Sequence, residues 1–442
     1  MKLKRVLLGC VVMVSVFAGG GARAALTPEL QMYLRSSSGA NGVGGAQECI
    51  NNPGAWGNEF RLGNECATYG EFGFGAWVLK PAQDGDPFFR FFANFAVVYD
   101  NRTDWEAPSV PTGGGLRGGN VWVMREVYSE GGYYAGAPFT AWAGKRFYRW
   151  GDVHLNDYYP VAMSGPGGGI GGIKTDYGTW SLAVIQNAQA NEINGSGDVR
   201  TEVGIAAKTS LHLRTEGWGT PAGWLSLWGV AATTPPAKDP ATGTDYRKST
   251  GGFFAAKLNS TIYEGVNNEF GMAYGEGVMS TMGPGGELVK DCQDTTDASC
   301  TVPGAQRLRA WNATVWETTK WSGQLAFMYD ELDRGTSTGT RFRWLSAGVR
   351  PMYWFTDNVS LIFQAGVSHI VDEADGLGSR NLARFTIAPQ LSLAKGYWSR
   401  PVVRAYYSRT AWNQANVGAA NGTTAQGKTE IDSIGVQTEV WF

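Results

Sequence analysis

The chain runs to 442 residues, a length that ordinarily means two or three domains, and its formal net charge of −2 leaves no basic surface for nucleic acid. Glycine (62) stands at about twice its usual share of roughly 7 %, and Trp 18, Tyr 18 and Phe 20 are more rings than a soluble enzyme of this length uses. A mean hydropathy of −0.22 excludes a polytopic helical membrane protein, whereas an all-β barrel fits so long a chain into one domain.

The first element is an export signal. Met1-Lys2-Leu3-Lys4-Arg5 is a basic start, Val6 to Gly19 an apolar stretch, and Ala22-Arg23-Ala24 a small-residue cleavage site. That stretch is short for a membrane anchor, and it runs on past Cys10, unlike a lipoprotein box. Residues 1–24 are thus expected to be removed, leaving 25–442. With Cys10 gone, Cys49, Cys66, Cys292 and Cys300 remain, an even number in an oxidising compartment. Of the three possible connectivities, the short separations favour Cys49–Cys66 and Cys292–Cys300. A metal site fits less well, because His154, His212 and His369 lie far from the cysteines in the chain.

Strands follow one another from there. Leu30, Met32 and Leu34 alternate with Gln31, Tyr33 and Arg35; Phe72, Phe74 and Ala76 alternate with Tyr69, Glu71 and Gly73. Over 89–99 the odd positions are Phe89, Phe91, Ala93, Phe95, Val97 and Tyr99. Over 359–367 they are Val359, Leu361, Phe363, Ala365 and Val367, with Ile362 the one apolar residue on the other face. At the end, Ile434, Val436, Val440 and Phe442 alternate with Gly435, Gln437, Glu439 and Trp441. Strict alternation is the mark of a strand with one apolar and one polar face. Loops such as Thr112-Gly113-Gly114-Gly115 and the stretch from Asp291 to Ser299 separate these segments.

Two architectures use such strands. A soluble sandwich buries the apolar face; a transmembrane barrel turns it to lipid and keeps a polar lumen. Export, ring-rich composition and the lack of helix signals favour a barrel of about 16 to 18 strands with long outer loops. Parity then assigns the lumen. Tyr33, Arg35, Tyr69 and Glu71 point inward; Trp441 shares the inner face with Gln437 and Glu439, and Trp398 shares parity with Arg400 and Arg404. A wall that mixes rings with Arg and Glu suits sugars, whose C–H faces stack on aromatics while their hydroxyls hydrogen-bond to charged groups.

Several stretches carry a family resemblance. They are Trp142-Ala143-Gly144-Lys145-Arg146-Phe147-Tyr148, Gly151-Asp152-Val153-His154, Ser164-Gly165-Pro166-Gly167 and Arg61-Leu62-Gly63-Asn64-Glu65-Cys66. Tyr33-Leu34-Arg35-Ser36, Asp104-Trp105-Glu106-Ala107, Arg350-Pro351-Met352-Tyr353, Trp398-Ser399-Arg400-Pro401 and Glu439-Val440-Trp441-Phe442 complete the set. Taken in chain order, these stretches resemble the maltoporin family from the first strand to the last residue, with 174–250 unmatched. The resemblance implies an 18-stranded antiparallel outer-membrane barrel with long extracellular loops, one of them folded into the lumen. It further implies a homotrimer that passes maltose and maltodextrins by facilitated diffusion, without a cofactor or metal. The family's aromatic track would fall on Tyr33, Tyr69, Trp105, Phe254, Trp398 and Trp441, with Phe253 the competitor to Phe254. Trp105 would reach a neighbouring subunit. The constriction aromatic would be Tyr159, beside Tyr158, and the polar track Arg35, Arg61, Glu71, Arg117, Asp152 and Asp157.

One departure stands out: where the family has a constriction arginine, two residues before Asp152, this chain has Trp150, with Arg149 one place earlier. A bidentate donor replaced by indole bears on the choice of sugar, so a sucrose or aryl-glucoside porin and a general diffusion porin remain alternatives. Gly167 to Gly172 satisfies GxGxxG but opens no helix, so it does not read as a phosphate site. A hydrolase built on His154 with Asp152 and Asp157 lacks a serine motif. A receptor or adhesin barrel would bind through its outer loops without conducting.

Overall fold

A computed structural model describes residues 26–100, 121–187, 192–193, 199–200, 208–238, 245–282, 304–335, 341–417 and 427–442. Alternating segments fold as expected into one sheet. Its strands are β1 (Thr27–Asn41), β2 (Ala67–Leu79), β3 (Phe88–Asp100), β4 (Val121–Gly132), β5 (Thr140–Arg146) and β6 (Gly165–Thr175). They continue as β7 (Gly178–Asn187), β8 (Lys208–Thr220), β9 (Gly223–Thr234), β10 (Ser249–Tyr263), β11 (Val266–Glu276) and β12 (Gln306–Glu317). The last are β13 (Trp321–Asp333), β14 (Arg341–Trp354), β15 (Val359–Asp372), β16 (Ser379–Ser392), β17 (Val402–Trp412) and β18 (Glu430–Trp441). Each pairs antiparallel with its chain neighbours, and β18 pairs with β1, closing an 18-stranded barrel. The residues matching GxGxxG lie within β6, paired to β5 and β7, so they form sheet and not a phosphate loop.

The two ends differ. At one, strands join through turns as tight as Asp176-Tyr177 or Pro221-Ala222; at the other, they join through segments such as 42–66, 147–164 and 277–305. Short turns mark the periplasmic rim of an outer-membrane barrel and long loops its outer face. Parity separates the two wall surfaces cleanly. Along β16, Arg380, Leu382, Arg384, Thr386, Ala388 and Gln390 are buried on the lumen side, while Phe385 and Leu391 are exposed on the outside. Leu30, Phe74, Phe89, Phe91, Val367, Val436 and Phe442 are likewise on the outer surface, which lipid would cover. Ile362 faces the lumen, packed with Leu62, Met352, Trp354, Tyr397 and Tyr406.

Among the described residues, segments 42–66 and 147–164 both enter the lumen, where one inserted loop was expected. Segment 42–66 carries the Cys49–Cys66 disulfide, with Cα atoms 5.8 Å apart. The Arg384 guanidinium donates to the carbonyls of Glu59 and Ile50, both at 2.6 Å, and Gln364 donates to the Phe60 carbonyl at 2.8 Å. Phe60, fully buried and in the left-handed region (φ 53°), lies over Gly348 and Gly366. Any Cβ at Gly366 would collide with that ring. Segment 147–164 enters from the facing side. Its Leu155 N–H donates to Gln324 at 3.1 Å, and its Asn156 amide to Ser346 at 3.0 Å. The loops also bond to each other, with Asn58 N–H to the Asn156 carbonyl at 2.9 Å and Arg61 N–H to the Leu155 carbonyl at 3.0 Å. Cys292 and Cys300 lie outside the described residues.

Because Phe60 occupies the space a side chain at residue 366 would need, Gly366→Leu should expel segment 42–66 from the wall. Overpacking of this kind costs about 1–3 kcal/mol. The variant should unfold at lower temperature in detergent and conduct more ions per channel than the parent, read by circular dichroism melting and single-channel recording.

Candidate functional site

Closure of the sheet builds the site. The β1–β18 register sets Tyr33 opposite Trp441 and Arg35 opposite Glu439, and the β1–β2 register sets Arg35 opposite Tyr69. All five side chains take the lumen parity. The Tyr69 and Tyr33 rings lie 6.0 Å apart, Tyr33 and Trp441 lie 6.2 Å apart at 20°, and Trp441 and Trp398 lie 6.4 Å apart. Trp398 reaches the line from the short turn 393–401. Four of the six anticipated track residues therefore form one run of rings descending toward the short-turn rim.

Charged groups flank the run. Glu439 accepts from Arg61 at 2.9 Å, Arg400 at 2.6 Å, Arg404 at 3.4 Å and the Tyr33 hydroxyl at 3.2 Å. Glu65 takes Arg35 and Arg61, each at 2.8 Å, and Arg35 also pairs with Asp157. Arg400 lies over the Trp441 ring at 4.0 Å, and Arg35 over Tyr69 at 5.1 Å. Glu71 accepts from the Tyr69 hydroxyl and from Asn94 at 2.8 Å. Glu439 is lumenal by its parity with Trp441. That it gathers three guanidiniums, and that Glu65 joins from the inserted loop, depends on long-range packing that parity does not reveal.

The inserted loop 147–164 supplies the remaining groups. Asp157, in the left-handed region (φ 49°), is the C-cap of the short turn His154–Asn156. Burial alone would push its carboxyl up, but Arg61 and Arg35 outweigh it and hold the group below the usual carboxylate range. Asp152 opens to the lumen at its tip yet is enclosed by lumen wall, and this enclosure pushes its carboxyl up to about 6 against the pull of Arg61. His154, read in the sequence as a hydrolase candidate, is buried, its Nδ1 lying 3.0 Å from the Arg61 guanidinium and its ring 5.0 Å from that of Trp398. Burial, and then Arg61, keep it neutral.

One expectation needs correction. Phe254 is 54 % exposed on the outer surface, whereas Phe253 is 5 % exposed inside, packed edge-on against Trp228 at 6.0 Å. The pair register, Phe254 with Gly229 and Tyr274, decides which ring turns outward. Trp150, in the inserted segment, is buried against the inner wall, 5.1 Å from Trp228, with its indole N–H donating to Glu216 at 2.8 Å. Arg149 takes the lumen side, its guanidinium over Tyr159 at 3.8 Å and over Phe147 at 4.0 Å. Trp105 and Arg117 lie outside the described residues.

With this geometry in place, the LamB porin family profile matches residues 29–442. The chain belongs to the LamB porin family. It is accordingly a porin channel of the bacterial outer membrane. Solved structures similar to this porin include OccAB2 of Acinetobacter baumannii, at 9 % identity over 94 % of this chain and 98 % of that one, with a TM-score of 0.49. A BenF-like porin from Pseudomonas fluorescens Pf-5 is 9 % identical over 94 % and 99 %, TM-score 0.49. OpdK of Pseudomonas aeruginosa, solved with vanillate, is 8 % identical over 94 % and 98 %, TM-score 0.47.

Removing the shared counter-ion of this porin, by Glu439→Ala, leaves Arg61, Arg400 and Arg404 facing one another. Breaking a buried pair costs about 3–5 kcal/mol. The variant should lose thermal stability in detergent, and its reversal potential in a salt gradient should shift toward anion preference. The depressed Asp157 carboxyl makes a second prediction. Its contact with Arg35 is present above the ordinary carboxylate range, persists as pH falls through that range and is lost only below it. Single-channel conductance should therefore hold steady through that range in the parent, and already be altered at neutral pH in Asp157→Asn.

Proposed function

We propose that this channel is a sugar porin: it passes neutral oligosaccharides of the maltodextrin class by facilitated diffusion. The observation that carries the reading is the run Tyr69–Tyr33–Trp441–Trp398, with ring spacings of 6.0 to 6.4 Å. A pyranose lays its C–H face on such a ring by dispersion, and the next ring is near enough to receive it as it slides. Arg35, beside Tyr69 and partly open to the lumen, gives the sugar hydroxyls a charge-assisted donor, while Arg61 and Arg400 are buried against Glu439 and hold the rings in place. Each contact is weak enough to release, as conduction requires, and no energy source, metal or cofactor enters. The family likeness supports a homotrimer in the outer membrane, with Trp105 shared between subunits; the mass of the detergent-extracted complex tests that assembly.

A second reading, a sugar porin of other specificity such as sucrose, rests on residue 150. The indole is spent on the wall, and the donor near Tyr159 is Arg149 held between two rings. Comparing maltose with sucrose as blockers of the same channel separates the two.

Channels reconstituted in a planar bilayer should carry an ion current that maltodextrin titration reduces to a saturating minimum. Current that no sugar reduces would overturn the sugar reading. Tyr33→Ala and Trp441→Ala should each raise the half-blocking concentration roughly tenfold, equivalent to about 1.4 kcal/mol. Phe254→Ala, on the outer surface, should leave it unchanged.

A further inference from the structure

The lumen widens at the short-turn rim into a cavity of about 850 Å³ that extends well beyond the ring run. Trp398 borders it on one side. On the other stands Trp224, in β9, a strand half the barrel away from β18. Trp224 has the lumen parity of Ser226 and Trp228, yet it is 61 % exposed where Trp228 is fully buried. Its cross-strand partner is Gly219, and a Cβ there would lie 3.2 Å from the indole. A glycine opposite a tryptophan gives the indole a flat floor, leaving its far face toward the water-filled cavity.

Amide, hydroxyl and carboxylate groups surround that face. Asn259 is the other cross-strand neighbour of Trp224, and Asn267, Glu269 and Asp152 also line the cavity. Glu269 accepts the Trp311 indole N–H at 2.9 Å and pairs with Lys257 at 3.3 Å, the cation that offsets part of the carboxylate charge. Along the ring run the guanidinium open to the lumen is that of Arg35. This cavity offers carboxylate acceptors together with amides that both accept and donate.

We propose that the cavity is a separate saccharide subsite at the periplasmic mouth, with Trp224 as its platform and Asn259, Glu269 and Asp152 as hydroxyl acceptors. It takes neutral sugars and repels anionic ones, because the carboxylates face the ligand. A sugar leaving Trp398 crosses the lumen to Trp224 before release. The inference rests on the sugar reading above and adds to it a site on the opposite wall.

The test is single-channel block in a planar bilayer, with maltohexaose added to one side at a time, for the parent, Trp224→Ala and Trp224→Phe. For Trp224→Ala, the block rate from the short-turn side should fall roughly fivefold while that from the long-loop side holds. Trp224→Phe should restore much of the loss, and heat resistance of the barrel should match the parent in both variants. An oligogalacturonate of similar length should block from the short-turn side more weakly than maltohexaose. Block in Trp224→Ala equal to the parent from both sides overturns the subsite and leaves the sugar reading standing, as does equal block by the anionic sugar. A parent that no sugar blocks overturns the sugar reading and the subsite together.

Discussion

An unpaired backbone N–H or C=O in hydrocarbon is costly enough that a sheet crossing a membrane must close on itself. Here closure joins β1 to β18, and the pairing extends to Met32 and Phe442, which exchange both backbone hydrogen bonds at 3.1 Å. The register of that seam does more than satisfy the backbone. It sets Tyr33 beside Trp441 and Arg35 beside Glu439, so the ring run and the ion cluster arise together. A slip of β18 by one residue would turn Trp441 and Glu439 toward lipid and leave Tyr33 and Arg35 without them. The site is in this sense the inner surface of the closing joint.

A barrel of this width would be an open pipe without something to fill it. Segments 42–66 and 147–164 do so by packing on each other and on the inner wall. Bringing charge into such a space is expensive unless each group finds several partners. Glu439 with three guanidiniums, and Asp330 with Arg307 at 2.8 Å and Arg309 at 2.7 Å, meet that requirement. The surplus of rings is explained the same way. One set faces lipid, one forms the run, and a third, around Tyr148, Trp150, Trp228 and Phe253, anchors the inserted loop.

Much of this was legible because a strand has a period of two. Tyr33, Tyr69, Glu71 and Glu439 could be assigned to the lumen from their neighbours alone, and the lipid-facing phenylalanines with them. The Cys49–Cys66 bond followed from short separation. What parity cannot supply is register between strands, or the path of a loop that folds inward. In Gly252-Phe253-Phe254 two adjacent rings make parity ambiguous, and only pairing with β9 and β11 decides between them. The ring that Trp150 packs on, Trp228, lies far along the sequence and could not be read from its chain neighbours. Arg61 and Glu65 likewise belong to a loop whose placement depends on Gly348 and Gly366 in strands nearly three hundred residues later.

The seam also has a consequence for how the protein is made. Contacts between the first strand and the last are the longest-range in the chain, and such contacts form late in folding. Trp441 and Glu439 must find Tyr33 and Arg35 across a sequence separation that reaches 406 residues between Tyr33 and Glu439. A chain interrupted anywhere before its final strand would have neither a closed wall nor the paired rings. Closure of the wall and assembly of the transport path thus become a single event, because the same pairing makes both.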